Sequence, residues 1–506
     1  MRSLLDATDR ASGAQTFRLA SLLTESVPAL RHYLVGDASF RRGQFADARE
    51  SLERAVAEDS TFALAYWRLG ETIGWVEGVG NAEGRAAKRR AKEYGERLPD
   101  REATLLDVGA AIADGRGDRE IERLRTYLRR YPDDPDGWYL LGEAGLHSWV
   151  TTGVTDAELQ EALYRAVELD PAFGPFYVHA TQWTSAKGDE VRFRAFLGAW
   201  DAMAFDADRR SQVQMRWDLL QGDDATVAAA IVAMGEMVPR DVVRLDQAAL
   251  GIVDKDLERL VPMYERRGGE TRGLLLNLYI QQGRLAEAID FAGTDAGLAG
   301  RVLVASVILK KYESGDASRD ELAGAFETIR EGDPGLDIDA HFARAFVSLA
   351  LGDMRALEAM RPTILSAVTQ TIEQGAAAGF DTTAVYDAFA ARLESRRLSA
   401  QGDPAAGYRL LSQAASATLI GLGFELAQMA MDAGQWPDAI PILEGISRNP
   451  QRRSEAKFLL GKAYEESGDR ERALDAYRTF LSRWERADPE LTWLREARDA
   501  VARLGG

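Results

Sequence analysis

Small side chains recur along this chain at intervals of 34 residues. Gly36 is followed by Gly70, and near the other end Gly434 is followed by Gly468. In segment 29–62, Gly43, Phe45, Ala48, Leu52 and Ala55 follow Gly36 at the spacing of two helices joined by a tight turn. GQWPDAIPIL and GDRERALDAY set Trp436, Ala439 and Leu443 in register with Arg470, Ala473 and Tyr477. Two antiparallel helices approach closely only where small side chains face each other and larger apolar groups fill around them. A glycine at the turn supplies the left-handed backbone that ends the first helix. One such hairpin cannot hide its apolar face alone, so successive hairpins must stack.

Stacking removes the usual ceiling on core size, so 506 residues need not mean several ordinary domains. Hydrophobic residues make up 46% of the chain, a globular value. The 62 basic and 80 acidic residues leave a net charge of −18. Nucleic acid and anionic lipid both need local positive charge, so neither is expected as a partner. Without cysteine there are no disulfides, thiolate nucleophiles or Cys-based metal sites. The start, MRSLLDATDR, has no long apolar stretch behind a basic end, unlike a secretory signal. The longest apolar runs, such as LVASVIL at 303–309, fall well short of the ~20 residues that span a bilayer. A cytoplasmic location is expected, or an extracytoplasmic one within a longer membrane-anchored protein.

The pattern resembles the tetratricopeptide repeat family. It is clearest at 29–62, 138–171, 270–292, 423–446 and 457–480, with weaker units around 63–98, 103–132, 174–200, 341–360 and 391–414. The resemblance implies an all-α, right-handed helical-hairpin superhelical solenoid. Residues 1–28 read as an N-terminal helical extension and 29–200 as a first solenoid. Residues 201–335 read as irregular helical pairs, 336–487 as a second solenoid and 488–506 as a capping helix. Loops are expected at VEGVGNAEG (76–84) and Thr151–Thr155, and breaks at Pro239, at Pro262 and in EGDPGLD at 331–337. The capping helix is expected to begin near Asp488–Pro489, since proline suits a first helical turn.

SVPALRHYLVGDASFRRGQF, RYPDDPDGWYLLGEAGLH and LDPAFGPFYVH are also similar to the C-terminal repeat regions of large bacterial signalling proteins. There, such repeats follow a serine/threonine kinase domain or a winged-helix or TolB-like segment. That resemblance implies a regulatory or sensory role.

Motifs for chemistry are missing. The chain has no kinase motif set, phosphate loop, G-x-S-x-G elbow or H-E-x-x-H pair. GVGNAEG at 78–84 lacks the spacing and the preceding strand of a dinucleotide loop. The four histidines, His32, His147, His179 and His341, never share the i, i+4 spacing of a helical metal site. Glu143, four residues before His147 and near Trp149, would raise the pKa of that imidazole. The basic run RAAKRRAKEYGERLPDR at 85–101 reads mainly as a solvated helix face, with Arg89 and Lys92 in register with Glu93 and Glu96. No cofactor, metal or enzymatic role is expected; a helical-toroid enzyme with inward carboxylates is the remote rival.

One pattern points to binding. Three residues before and one after the small residue of a first helix share a helix face. These positions hold Tyr33 and Asp37, Trp67 and Glu71, Tyr139 and Glu143, Phe424 and Gln428, and Phe458 and Lys462. The first member is always aromatic, and the second is acidic only in the three N-terminal pairs. Packing against the next repeat would explain the aromatics. The alternative is a peptide groove on the concave face, acidic in its N-terminal half, for a basic, aliphatic or proline-containing segment.

Overall fold

The computed structural model describes residues 24–77, 81–113, 117–147, 154–234, 272–295, 297–329, 338–377, 382–414, 423–447 and 453–505. The expectations at Pro239, Pro262, Trp149 and EGDPGLD lie outside the described residues, as do residues 1–23, 78–80 and 151–153 and the side chain of His147. The helices that end at Glu77 and start at Ala82 take residues 76, 77 and 82–84 out of the first expected loop.

Among the described residues there are 25 α-helices, and no strand occurs. Two compact units form: residues 1–221 with 377–381, and residues 222–376 with 382–506. In the first unit the helices are α1 (Val27–Arg41), α2 (Phe45–Glu58), α3 (Ala63–Glu77), α4 (Ala82–Glu93), α5 (Asp100–Ala113), α6 (Gly117–Arg130), α7 (Pro135–His147), α8 (Asp156–Leu169), α9 (Phe176–Lys187), α10 (Glu190–Met203) and α11 (Ala207–Gln221). The second unit begins with α12 (Asp224–Met234), α13 (Arg272–Gln281), α14 (Leu285–Gly293), α15 (Leu298–Glu313), α16 (Arg319–Glu327), α17 (Ile338–Ala350) and α18 (Met354–Ala377). It continues through α19 (Thr382–Ala400), α20 (Pro404–Ala414), α21 (Gly423–Asp432), α22 (Trp436–Ile446), α23 (Arg453–Glu466), α24 (Arg470–Arg483) and α25 (Thr492–Gly505).

The small residues mark where paired helices touch. A Cβ at Gly36 would lie 2.7 Å from Leu52, one at Gly142 2.7 Å from Leu163, and one at Gly461 2.5 Å from Tyr477. No real Cβ tolerates such contacts, so these hairpins pack backbone against side chain and require glycine. Helix starts follow from local chemistry: Ser26, Asn81 and Asp469 each accept a backbone N–H in the first turn that follows.

Each unit also joins segments far apart in the chain. In the first, Arg41 Nη2 donates to both carboxylate oxygens of Asp170, at 2.9 and 2.7 Å, and the Gly174 N–H donates to the Arg41 carbonyl at 3.1 Å. In the second, the Asp488 N–H donates to the Gly283 carbonyl at 3.0 Å, and the Asp488 carboxylate accepts from the Ala286 N–H at 2.9 Å. Asp488 therefore caps α14, whose own N-cap residue Arg284 supplies no side-chain bond. The terminal helix starts only at Thr492, whose N–H donates to the Asp316 carboxylate. Its Trp493 ring stacks on Phe458 at 4.6 Å.

Candidate functional site

Four first helices of the first unit, α1, α3, α5 and α7, line a cavity of about 500 Å³ together with the segment from Leu169 to Pro175. The Arg41–Asp170 pair ties that segment to α1, with the Arg41 guanidinium 4.9 Å from the Phe173 ring centre. Cavities of this size take a small ligand or a few side chains.

Tyr33, Trp67, Glu71 and Tyr139 all line it. Tyr33 and Tyr139 are nearly buried, and burial is the main cause raising both phenols above their ordinary pKa. Nearby carboxylates, Asp37 for Tyr33 and Glu143 for Tyr139, add to it. Asp37 sits behind the wall at 2.8 Å from Arg68, and the Arg68 guanidinium lies 4.7 Å from the Phe40 ring centre. Glu71 pairs with Lys88 at 2.5 Å, and the Lys88 ammonium lies 5.2 Å from the Trp67 ring. Glu143 meets His179 Nε2 at 2.6 Å, while His179 Nδ1 lies 2.7 Å from the Gln182 amide oxygen. Burial works against the charged imidazole, but Glu143 and Gln182 outweigh it and raise the His179 pKa. All three acids of the N-terminal pairs thus have basic partners within the unit.

The other two pairs lie in the second unit. Phe424 and Gln428 are half-buried. Phe458 is buried under Trp493, and Lys462 lies 3.6 Å from Glu496. The basic run is spent on internal ion pairs: Lys88 with Glu71 inside its own hairpin, and Lys92 with Asp107 and Arg101 with Asp134 further along the chain.

Sequence reasoning did not single out Asp136. It lies in the first turn of α7 and lines the cavity, solvent-accessible yet deep among protein atoms. Among the described residues, no cation bonds its carboxylate. Burial pushes its pKa up to about 7, the Asp134 charge adds to this, and Arg68 opposes it. Asp134 is engaged elsewhere: it pairs with Arg101 at 2.6 Å, accepts from the Tyr127 hydroxyl, and caps α7 through the Asp136 N–H. The signal was the PDDPDGW string, in which the capping aspartate and a second acid precede the helix. Across the whole lining, six acids face three arginines. Among the described residues, no group of three or more His, Cys, Asp or Glu could hold a metal ion, and no helix is long and apolar enough to cross a membrane.

A tetratricopeptide repeat family model matches residues 33–72, 110–172 and 424–492, and the matched segments fall in both units. No curated protein matches the sequence. Among solved structures, the chain is similar to the APC/C hetero-tetramer Cut9–Hcn1, at 11% identity over 97% of this chain and 98% of that one, with a TM-score of 0.27. It is also similar to the human IFIT1 dimer with m7Gppp-AAAA, at 13% identity over 95% of each chain and a TM-score of 0.27. For the P58(IPK) TPR domain the identity is 12% over 94% of this chain and 98% of that one, with a TM-score of 0.22.

Proposed function

We propose that this chain, an all-α assembly carrying tetratricopeptide repeats, is a non-catalytic scaffold whose first unit binds a basic protein segment. The observation that supports this is the cavity between α1, α3, α5 and α7, with aromatic walls and twice as many acids as bases. Aromatic surface buries aliphatic or proline side chains and attracts cations through the ring face. An acidic excess repels anionic partners and speeds encounter with cationic ones. The Phe424, Gln428, Phe458 and Lys462 positions would belong to a separate contact, since they lie in the second unit.

Binding of Lys/Arg-rich and Asp/Glu-rich peptide libraries to the full chain tests this reading. Basic peptides should be retained, and Trp67→Ala should weaken them at least tenfold. Preference for acidic peptides, or unchanged binding by Trp67→Ala and Tyr139→Ala together, would overturn it.

The resemblance of the N-terminal runs to repeat regions of bacterial signalling proteins supports a regulatory setting for this scaffold. A kinase or winged-helix segment encoded directly upstream in the same reading frame would bear that out; a stop codon there would count against it.

A further inference from the structure

We propose that the cavity of the first unit receives the cationic end of one arginine or lysine side chain from the bound segment, with Asp136 as its counter-ion. This deepens the basic-segment reading and rests on it.

The unit already holds its own cations in one recurring way, with a carboxylate on one side and an aromatic face on the other. Arg68 has Asp37 and Phe40, Lys88 has Glu71 and Trp67, and Arg41 has Asp170 and Phe173. Asp136 is the carboxylate half of such an arrangement without its cation. It lies within electrostatic reach of the Tyr33 hydroxyl, and Tyr33 and Tyr139 line the same cavity. The Asp134 and Asp170 charges add to the cost of ionising Asp136, and an incoming cation lowers that cost. An anion is disfavoured because Arg41, Arg68 and Arg101 are each already paired.

Ionisation of Asp136 then couples binding to pH. The charged groups around it are Asp37 and Arg41 on α1, Arg68 and Glu71 on α3, and Arg101 and Glu102 on α5. Asp133 and Asp134 precede α7, and Asp170 lies on the closing segment. His179, whose pKa Glu143 raises, stands behind Tyr139 through Glu143 and is a second titratable group to be controlled for.

The test is calorimetric titration of the full chain with a capped seven-residue peptide carrying a central arginine among leucine and proline. A citrulline counterpart and capped single arginine serve as comparisons. The arginine peptide should bind at least about tenfold more tightly at pH 8.5 than at pH 5.5. Citrulline should lose about tenfold at pH 8.5, and Asp136→Asn should lose as much and show a flat pH profile. His179→Gln should keep the profile. If the arginine peptide binds but Asp136→Asn binds equally well, the counter-ion assignment fails while the basic-segment reading stands. If single arginine binds as tightly as the peptide, the cavity is a small-molecule site and the assignment to a protein side chain fails. If no arginine peptide binds, the basic-segment reading fails with it. Carbon-13 NMR of the Asp136 carboxyl gives an independent check: its pKa should fall on adding the arginine peptide, and an unmoved pKa overturns the proposal.

Discussion

The indole Nε1 of Trp484 donates to the backbone carbonyl of Gln281, 203 positions earlier in the chain, at 3.1 Å. The same indole lies against the turn glycine that follows, where a Cβ on Gly283 would come within 2.7 Å of the ring. Gly434 occupies the equivalent turn of another hairpin with nearly the same φ, 72° against 71°, but has nothing within 4 Å. The two positions separate backbone strain from crowding. Gly434→Ala should cost about 1 kcal/mol and Gly283→Ala about 3 kcal/mol, because only the second adds a steric clash. Urea unfolding followed by tryptophan fluorescence would measure both, and equal losses would show that the Trp484 contact is loose.

Breaking the tie in the first unit should be similarly costly. Arg41 and Asp170 are mostly shielded from solvent, at 17% and 13% side-chain exposure. Arg41→Met takes the paired cation away from the Asp170 carboxylate and should cost about 3 kcal/mol. Adding Asp170→Leu should recover part of that loss, since an apolar pair replaces a charge that has lost its counter-ion. A double mutant less stable than Arg41→Met alone would contradict this account.

The Glu143–His179 pair makes stability depend on pH in a defined direction. The folded-state pKa of His179 is raised, so its protonated form is favoured by folding. Its contribution is fully present below the unfolded pKa of about 6.5 and is lost as pH rises through the folded value. Glu143→Gln removes the cause. Melting temperatures across pH should therefore show the largest gap between wild type and variant on the acid side, narrowing as the pH becomes alkaline. A gap independent of pH would mean that the imidazole is neutral throughout.

Asp136 should behave in the same sense with an opposite consequence for its variant. Its folded-state pKa is raised to about 7. The folded state thus loses stability from this group as pH rises from the unfolded carboxylate range through about 7. Asp136→Asn should melt higher than wild type at pH 8.5, with the gap closing below about pH 4. Lower stability at alkaline pH would show that the carboxylate makes a favourable interaction there.

What could be read in advance was what neighbouring helices impose on each other. Gly36 against Leu52 and Gly142 against Leu163 lie within one hairpin, so their spacing repeats along the chain. The aromatic members Tyr33, Trp67 and Tyr139 followed from the same register, and they do line one cavity. Their acidic companions could be listed but not paired. Lys88 comes from the second helix of the same hairpin as Glu71, whereas His179 comes from a later one. Local spacing sets Glu143 one turn before His147, whose side chain lies outside the described residues, but it could not show that His179, 36 residues later, also meets Glu143. Asp136 does not stand out in a pattern that compares helix faces, because its importance comes from lining a cavity without a bonded cation.

The 34-residue pattern by itself determined that this is an all-α chain of helical hairpins and where their backbones must touch, because those requirements are local and recur. Only the tertiary structure decided that Arg41 meets Asp170, that Asp488 caps α14, and that Asp136 faces a cavity. Those outcomes depend on the small rotation between successive hairpins accumulating until distant segments meet. No single repeat encodes that sum.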